Sequence, residues 1–250
     1  ALNEMLGHIE DAVTNERAGQ ERLRQFVADA SHELRTPVAA ISGYAELRRT
    51  GGLTSPAAED NAWSRVERES SRMGTLIEEL LMLARLGESQ PLDTQPVDLV
   101  EIARHASADH ATIDPTRPVE LTGADHATLN GDQERLHQVV SNLLSNVRAH
   151  TPEGTITRLE VTSSDQSVGL TVTDSGPGIP ESALEHIFNR FYRADPSRSR
   201  HTGGSGLGLA IVDAIVTAHG GTVTAANAAS SIGARISITL PTTRTHIHKG

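Results

Sequence analysis

The sequence contains no cysteine. That excludes disulfide staples, thiolate metal sites, iron–sulfur clusters and cysteine nucleophiles. Aromatic residues are scarce: three Phe, two Tyr and one Trp in 250 residues. So few cannot build the stacking platforms that bind single-stranded nucleic acid. Positive charge is not in surplus either. Lys and Arg number 22 against 32 Asp and Glu, a formal charge of −10 at pH 7, whereas a general grip on nucleic-acid phosphates needs a positive field. No apolar run approaches the roughly 18–20 residues that cross a bilayer, and no signal peptide is visible. The chain begins at Ala1 without an initiator Met, so the expectation is a fragment that has lost a membrane-bound front end. What is present, 37% hydrophobic and 22% charged residues, suffices for one large domain or two small ones with an aliphatic, alanine-rich core.

Leu2, Met5, Ile9 and Val13 step by three and four residues, and after a blurred stretch the stripe resumes at Leu23, Val27, Ala30, Leu34, Val38, Ile41 and Ala45. A second stripe runs through Val66, Met73, Leu76, Ile77, Leu80 and Leu83. Such spacing places one narrow apolar face on each of two long helices. Gly51-Gly52-Leu53-Thr54-Ser55-Pro56 breaks between them, as glycine and proline do, and the product is an antiparallel hairpin. One hairpin leaves apolar surface uncovered, so two hairpins closing a four-helix core, a homodimer, are expected. Residues 87–96 form a polar linker with two prolines and mark a domain boundary. Beyond it, helical period covers 97–111, 132–148 and 205–218, the last opened by a glycine loop. Segments rich in Thr, Val and Ile at 155–162, 168–174, 222–226 and 234–240 read as strands. The class is α+β, with helices on one side of a largely antiparallel sheet. Residues 242–250 read as a frayed tail.

Residues 26–37 carry Ser31-His32-Glu33-Leu34-Arg35-Thr36-Pro37 inside the first helix. His32 lies two residues from both Ala30 and Leu34, which turns it away from the stripe. Thr36 is one turn on, on the same face. Pro37 cannot donate to the carbonyl of Glu33, so a bend is expected just after the histidine. Taken alone, one of 12 histidines on a helix face means little. The alternative is a nucleophile, its neutral imidazole attacking while Glu33 orients the ring or takes its proton.

There is no Walker-type phosphate loop. Three separate pieces stand in order instead. Asn142 and Asn146 sit at i and i+4 on a helix; their hard amide oxygens suit Mg²⁺, though surface asparagines are the ordinary reading. Asp174-Ser175-Gly176-Pro177-Gly178-Ile179 follows a strand. A carboxylate there can accept from an adenine amine, and the glycines let backbone approach a ring; alone it is an ordinary turn. Gly203-Gly204-Ser205-Gly206-Leu207-Gly208-Leu209 opens a helix, where glycine amides and a helix N-terminus make an anion site. Between the last two lies a long stretch with Arg190, Arg193, Arg198 and Arg200. Long loops are uncommon unless functional, and a basic one beside phosphates suggests a lid.

Taken together and in this order, the pieces make the sequence resemble the bacterial sensor histidine kinases of two-component systems over nearly its whole length. Residues 26–37 look like their H box, 132–151 the N box, 174–179 the G1 box, 188–193 the F box and 203–209 the G2 box. The resemblance implies the end of a HAMP-like signalling helix at 1–20, a dimerisation and histidine-phosphotransfer hairpin at 21–86 and a linker at 87–96. It implies an ATP-binding α/β sandwich of the gyrase type at 97–241. It implies that His32 accepts the γ-phosphoryl group of Mg-ATP, assisted by Glu33, and that an aspartate of a response regulator receives it next. Thr36 matches the position that, with Glu33, orients a water for dephosphorylating that regulator. Asn146 would bind Mg²⁺ with Asn142 in support. Asp174 would bind adenine, and Gly176, Gly178, Ile179, Gly204, Ser205, Gly206, Leu207 and Gly208 would shape the pocket and hold phosphates. The place of a basic residue common in relatives is Ala149 here; Arg148 is one residue early and points about 100° away. His150 holds a place usually Tyr or His, and phosphate neutralisation falls to Arg193 or other lid arginines. A membrane sensor would precede this portion, which itself would lie in the cytoplasm. Rival readings are a non-catalytic signalling scaffold, an ATP-gated machine of the gyrase type and a protein-serine kinase with the same ATP fold. Intact Asn146 and Asp174 oppose the first, and the segment His32 to Pro37 opposes the other two.

Overall fold

The computed structural model describes residues 2–87, 92–194, 205–228 and 233–242, with side chains from Arg24 onward. The chain divides into two compact units, Ala1–Leu80 and Leu81–Gly250.

The first unit is the helical hairpin. Helix α1 spans Leu2–Arg49 and runs unbroken through Pro37, and α2 spans Pro56–Gly87. The turn between them is written into its residues. Gly51 adopts φ 71°, Gly51 N–H donates to Arg48 O, and Gly52 N–H donates to Leu47 O at 2.8 Å. That pairing closes the carbonyls at a helix end and needs a left-handed residue. Ser55 Oγ then accepts from Ala58 N–H at 3.2 Å, with Pro56 at the first helical position where no donor is missed. Arg65 Nη1 donates to Tyr44 Oη at 3.0 Å, and Arg72 Nη2 lies 3.9 Å from Glu33 Oε2, so the helices run antiparallel. Leu76 of the apolar stripe is buried, as are Pro37 and Ala62 outside it, whereas Val27, Val38 and Ile77 of the stripe stay exposed at 55%, 47% and 43%.

The second unit carries the sheet. Its elements are β1 (Gln95–Asp98), α3 (Leu99–Ile113), β2 (Val119–Gly123), β3 (Thr128–Gly131), α4 (Gln133–His150), β4 (Thr157–Ser163) and β5 (Ser167–Asp174). There follow α5 (Glu181–Leu184), α6 (Gly208–Ala218), β6 (Thr222–Asn227) and β7 (Ala234–Pro241). The five-stranded sheet has the order β2-β4-β5-β7-β6. Only β2–β4 is parallel, and β1 and β3 pair separately.

Alternate residues of β4 and β5 are buried, including Leu159, Val161, Leu170 and Val172. They make the apolar face on which α3, α4 and α6 form a helical layer. α4 supplies Leu136, Val139, Val140, Leu143, Leu144 and Val147, and α6 supplies Ile211, Val212, Ile215 and Val216. Asp98 and Asp132 cap α3 and α4 through Val100 N–H and Arg135 N–H, which satisfies donors the helices leave open.

Three sequence expectations change. The helix expected from 97 begins at Leu99, because Val97 pairs with Leu129 in β1. Gln95 and Pro96, expected in the linker, belong to the same strand. The glycine loop's helix begins at Gly208 rather than 205, with Ser205 folded back so that its Oγ accepts from Leu207 N–H at 3.1 Å.

Candidate functional site

In the second unit the β5 strand ends at Asp174, which is 8% exposed. Its Oδ1 accepts from Gly176 N–H at 2.8 Å and from Ala234 N–H at 3.2 Å. One carboxylate oxygen is thereby fixed, while Oδ2 has no protein hydrogen-bond partner among the described residues. A charged acceptor held in this way suits an amine donor on a planar ring. Gly176 leaves the approach open: a Cβ there would stand 2.6 Å from Thr151 Cγ2 and 2.9 Å from Asp174 Oδ1. Gly178 has φ 79°, a region that favours glycine. Ile179 N–H and C=O are both taken by the Asn227 side chain, at 2.7 and 2.8 Å.

α4 runs beside this turn. Asn142 Nδ2 donates to Gly208 O at 3.3 Å, tying α4 to the start of α6. Asn146 is half-buried, and its side-chain amide has no hydrogen-bond partner among the described residues. That hard oxygen, one helical turn from Asn142, has the chemistry of a Mg²⁺ ligand, so the residues fit the ion. His150 ends α4. Surrounding atoms lower its pKa by desolvation, and the nearby Asp174 carboxylate pulls the other way. Burial lowers the pKa of His110 on α3, and the Arg148 charge adds to it.

Among the described residues the start of α6 has no side-chain cap, and helix geometry leaves the amides of its first turn open. Such an end attracts phosphate. Gly206, with φ 76°, backs onto Phe191, whose own φ is 60°, and Phe191 N–H donates to Gly206 O at 2.9 Å. This bond joins Phe191 to the glycine loop that precedes α6. Arg193 is half-buried. Gly203, Gly204, Arg198 and Arg200 lie outside the described residues.

Sequence reasoning missed Thr151, Ala234 and Asn227. Thr151 caps α4 with Oγ1 on Val147 O at 2.8 Å, and its carbonyl accepts from Arg117 Nη2 at 2.9 Å. Arg117 is itself paired with Asp114. Ala234 and Asn227 act through partners remote in sequence, and Thr151 joins its local cap to the distant Arg117.

In the first unit, His32 is exposed on α1 and so is Thr36 one turn later. Glu33 is half-buried, its carboxylate 3.9 Å from Arg72 of α2. Pro37 is buried.

Two family models match the chain. The His Kinase A (phospho-acceptor) domain covers residues 22–89, and the histidine kinase-, DNA gyrase B- and HSP90-like ATPase covers residues 131–244. The chain is 48% identical over 225 residues to the probable sensor histidine kinase TcrY of Mycobacterium tuberculosis, covering 90% of this chain and 47% of that protein. It is 45% identical over 230 residues to the sensor histidine kinase TrcS of the same organism, again 90% of this chain and 45% of the relative. The chain thus spans about half the length of these curated relatives. Among solved structures, a mycobacterial sensor histidine kinase, MprB, is 31% identical with a TM-score of 0.53, covering 61% of this chain and 99% of that one. The histidine kinase ThkA in complex with the response regulator protein TrrA is 24% identical with a TM-score of 0.72, covering 90% of this chain and 64% of that one. At that identity the likeness is one of fold.

Proposed function

The chain belongs to the two-component sensor histidine kinases, and from that premise we propose that it transfers the γ-phosphoryl group of ATP to His32 and then to an aspartate of a response regulator. One imidazole nitrogen of His32 attacks the γ-phosphorus, the bond to the bridging oxygen of ADP breaks, and the proton of the other ring nitrogen passes to Glu33. Asp174 accepts from the adenine amine, and the first turn of α6 holds phosphates. Asn146, supported by Asn142, would hold Mg²⁺, which when bound offsets phosphate charge. The work is one of positioning, as in phosphoryl transfer generally. The observation that carries the reading is the exposure of His32; the turn at Asp174 alone would serve any ATPase of this fold. Incubation with γ-labelled ATP and Mg²⁺ tests it. Label lost in acid and retained in alkali is a phosphoramidate, and His32→Gln should abolish it while ATP binding survives. Acid-stable label would mean a hydroxyl acceptor and would sink the proposal.

Thr36, exposed one turn from His32, supports a second activity, dephosphorylation of the regulator. Exposed Val27, Val38 and Ile77 support a homodimer in which a second hairpin covers them. The domain limits follow the same reading, with the strand at Gln95 moved out of the linker: hairpin at 21–86, linker at 87–94, ATP-binding domain at 95–241. Residues 1–20 would continue a signalling helix from a membrane sensor. Among the described residues no helix is long and apolar enough to cross a membrane.

A further inference from the structure

We infer that Asn227 is a positioning residue for purine recognition, holding the turn from Asp174 to Ile179 in shape from a strand remote in sequence. The inference rests on the nucleotide-binding reading above. Asn227 is the last residue of β6, and β7 separates β6 from the β5 strand that leads into the turn. Its Oδ1 accepts from Ile179 N–H at 2.7 Å, and its Nδ2 donates to Ile179 O at 2.8 Å. One side chain thus pairs both backbone groups of one residue, as a neighbouring strand would. The fit is close: a Cβ at Gly178 would lie 2.8 Å from Asn227 Oδ1.

The other side of the β6–β7 hairpin holds the opposite end of the same turn. Ala234 N–H donates to Asp174 Oδ1 at 3.2 Å. A Cβ on Gly233 would stand 1.9 Å from the Asp174 carbonyl oxygen, so glycine alone permits this approach. Ala228 N–H donates to Gly233 O at 2.9 Å and closes the hairpin. Asp174 and Ile179 are therefore both anchored to one hairpin, and the residues between them include two glycines. Glycine-containing backbone loses the most conformational freedom on ordering. Anchoring both ends removes that freedom before the ligand arrives, which is preorganisation.

The test uses the full 250-residue chain with adenosine, ADP and ATP as probes. Asn227→Ala should weaken all three by the same factor, about tenfold for the two hydrogen bonds lost. KM for ATP in self-labelling should rise by that factor, with the rate at saturating ATP unchanged. Hydrogen exchange at the Ile179 amide should accelerate, and the melting temperature should hold. Asn227→Asp keeps an acceptor for Ile179 N–H and loses the donor, so it should fall between. Wild-type ADP affinity in Asn227→Ala overturns the inference. So does a loss that tracks the melting temperature across both variants, or one that grows from adenosine to ATP. If the unaltered chain binds no ADP, the nucleotide reading falls and this inference with it.

Discussion

Replacing Asp174 by Asn changes one atom and reverses one hydrogen-bond role. Gly176 N–H and Ala234 N–H both point at Oδ1. The asparagine must turn its carbonyl oxygen toward these two donors, because its NH₂ cannot accept. The NH₂ is then forced into the position of Oδ2, where in the proposed binding mode it would face the adenine amine donor to donor. The fold loses little, since both backbone donors keep an acceptor. Binding loses a charge-assisted hydrogen bond and gains a mismatch, about 1.5–3 kcal/mol, or roughly 10- to 150-fold in affinity. Asp174→Ala differs in kind. It leaves one buried and one part-buried N–H unpaired and should cost about 1–3 kcal/mol of stability as well. Calorimetric titration with a non-hydrolysable ATP analogue, beside thermal melts without ligand, separates the two effects. In Asp174→Asn the melt should match the wild type and the titration should not. Near-normal affinity in Asp174→Asn, or a melting temperature as low as that of Asp174→Ala, would refute this account of the turn.

Other consequences follow from the same geometry. Gly176→Ala would press a methyl against Thr151 Cγ2 and Asp174 Oδ1, both held by hydrogen bonds; it should cost about 1–3 kcal/mol in denaturant melts and weaken ATP binding. Gly51→Ala puts a side chain at φ 71° and should cost the hairpin about 1–2 kcal/mol. If the proposed homodimer forms through this face, Ile77→Asp should convert it to a monomer in light scattering, and an unchanged dimer mass would remove Ile77 from the interface. His110 is buried, and its pKa is lowered by burial first and by Arg148 and Arg117, against Asp114. Below the unfolded value of 6.5 the unfolded chain binds a proton that the native state refuses. Stability should therefore fall as pH drops from 6.5 toward the lowered folded pKa. His110→Leu should flatten that part of the urea-denaturation profile.

Local chemistry made much of this protein legible in its sequence. The hairpin turn reads directly, because Gly51, Gly52, Ser55 and Pro56 each solve a problem set by the residues beside them. The exposure of His32 reads from its spacing to Ala30 and Leu34, since helix period is local. The aspartate–glycine turn reads as a turn for the same reason. The stripe on α1 was only half legible: spacing places Val27 and Leu34 on one face, but which of them meets α2 depends on the partner helix. Tertiary structure decided what distant residues share. The short strands β1, β2 and β3 exist because remote segments pair with them, β2 lying parallel to β4. The hold of Arg117 on the Thr151 carbonyl, the grip of Ala234 on Asp174 and the lock of Asn227 on Ile179 each join residues tens of positions apart. Sequence patterns report period and conformational preference over a few residues, whereas these contacts depend on strand order and register, which only the assembled sheet defines.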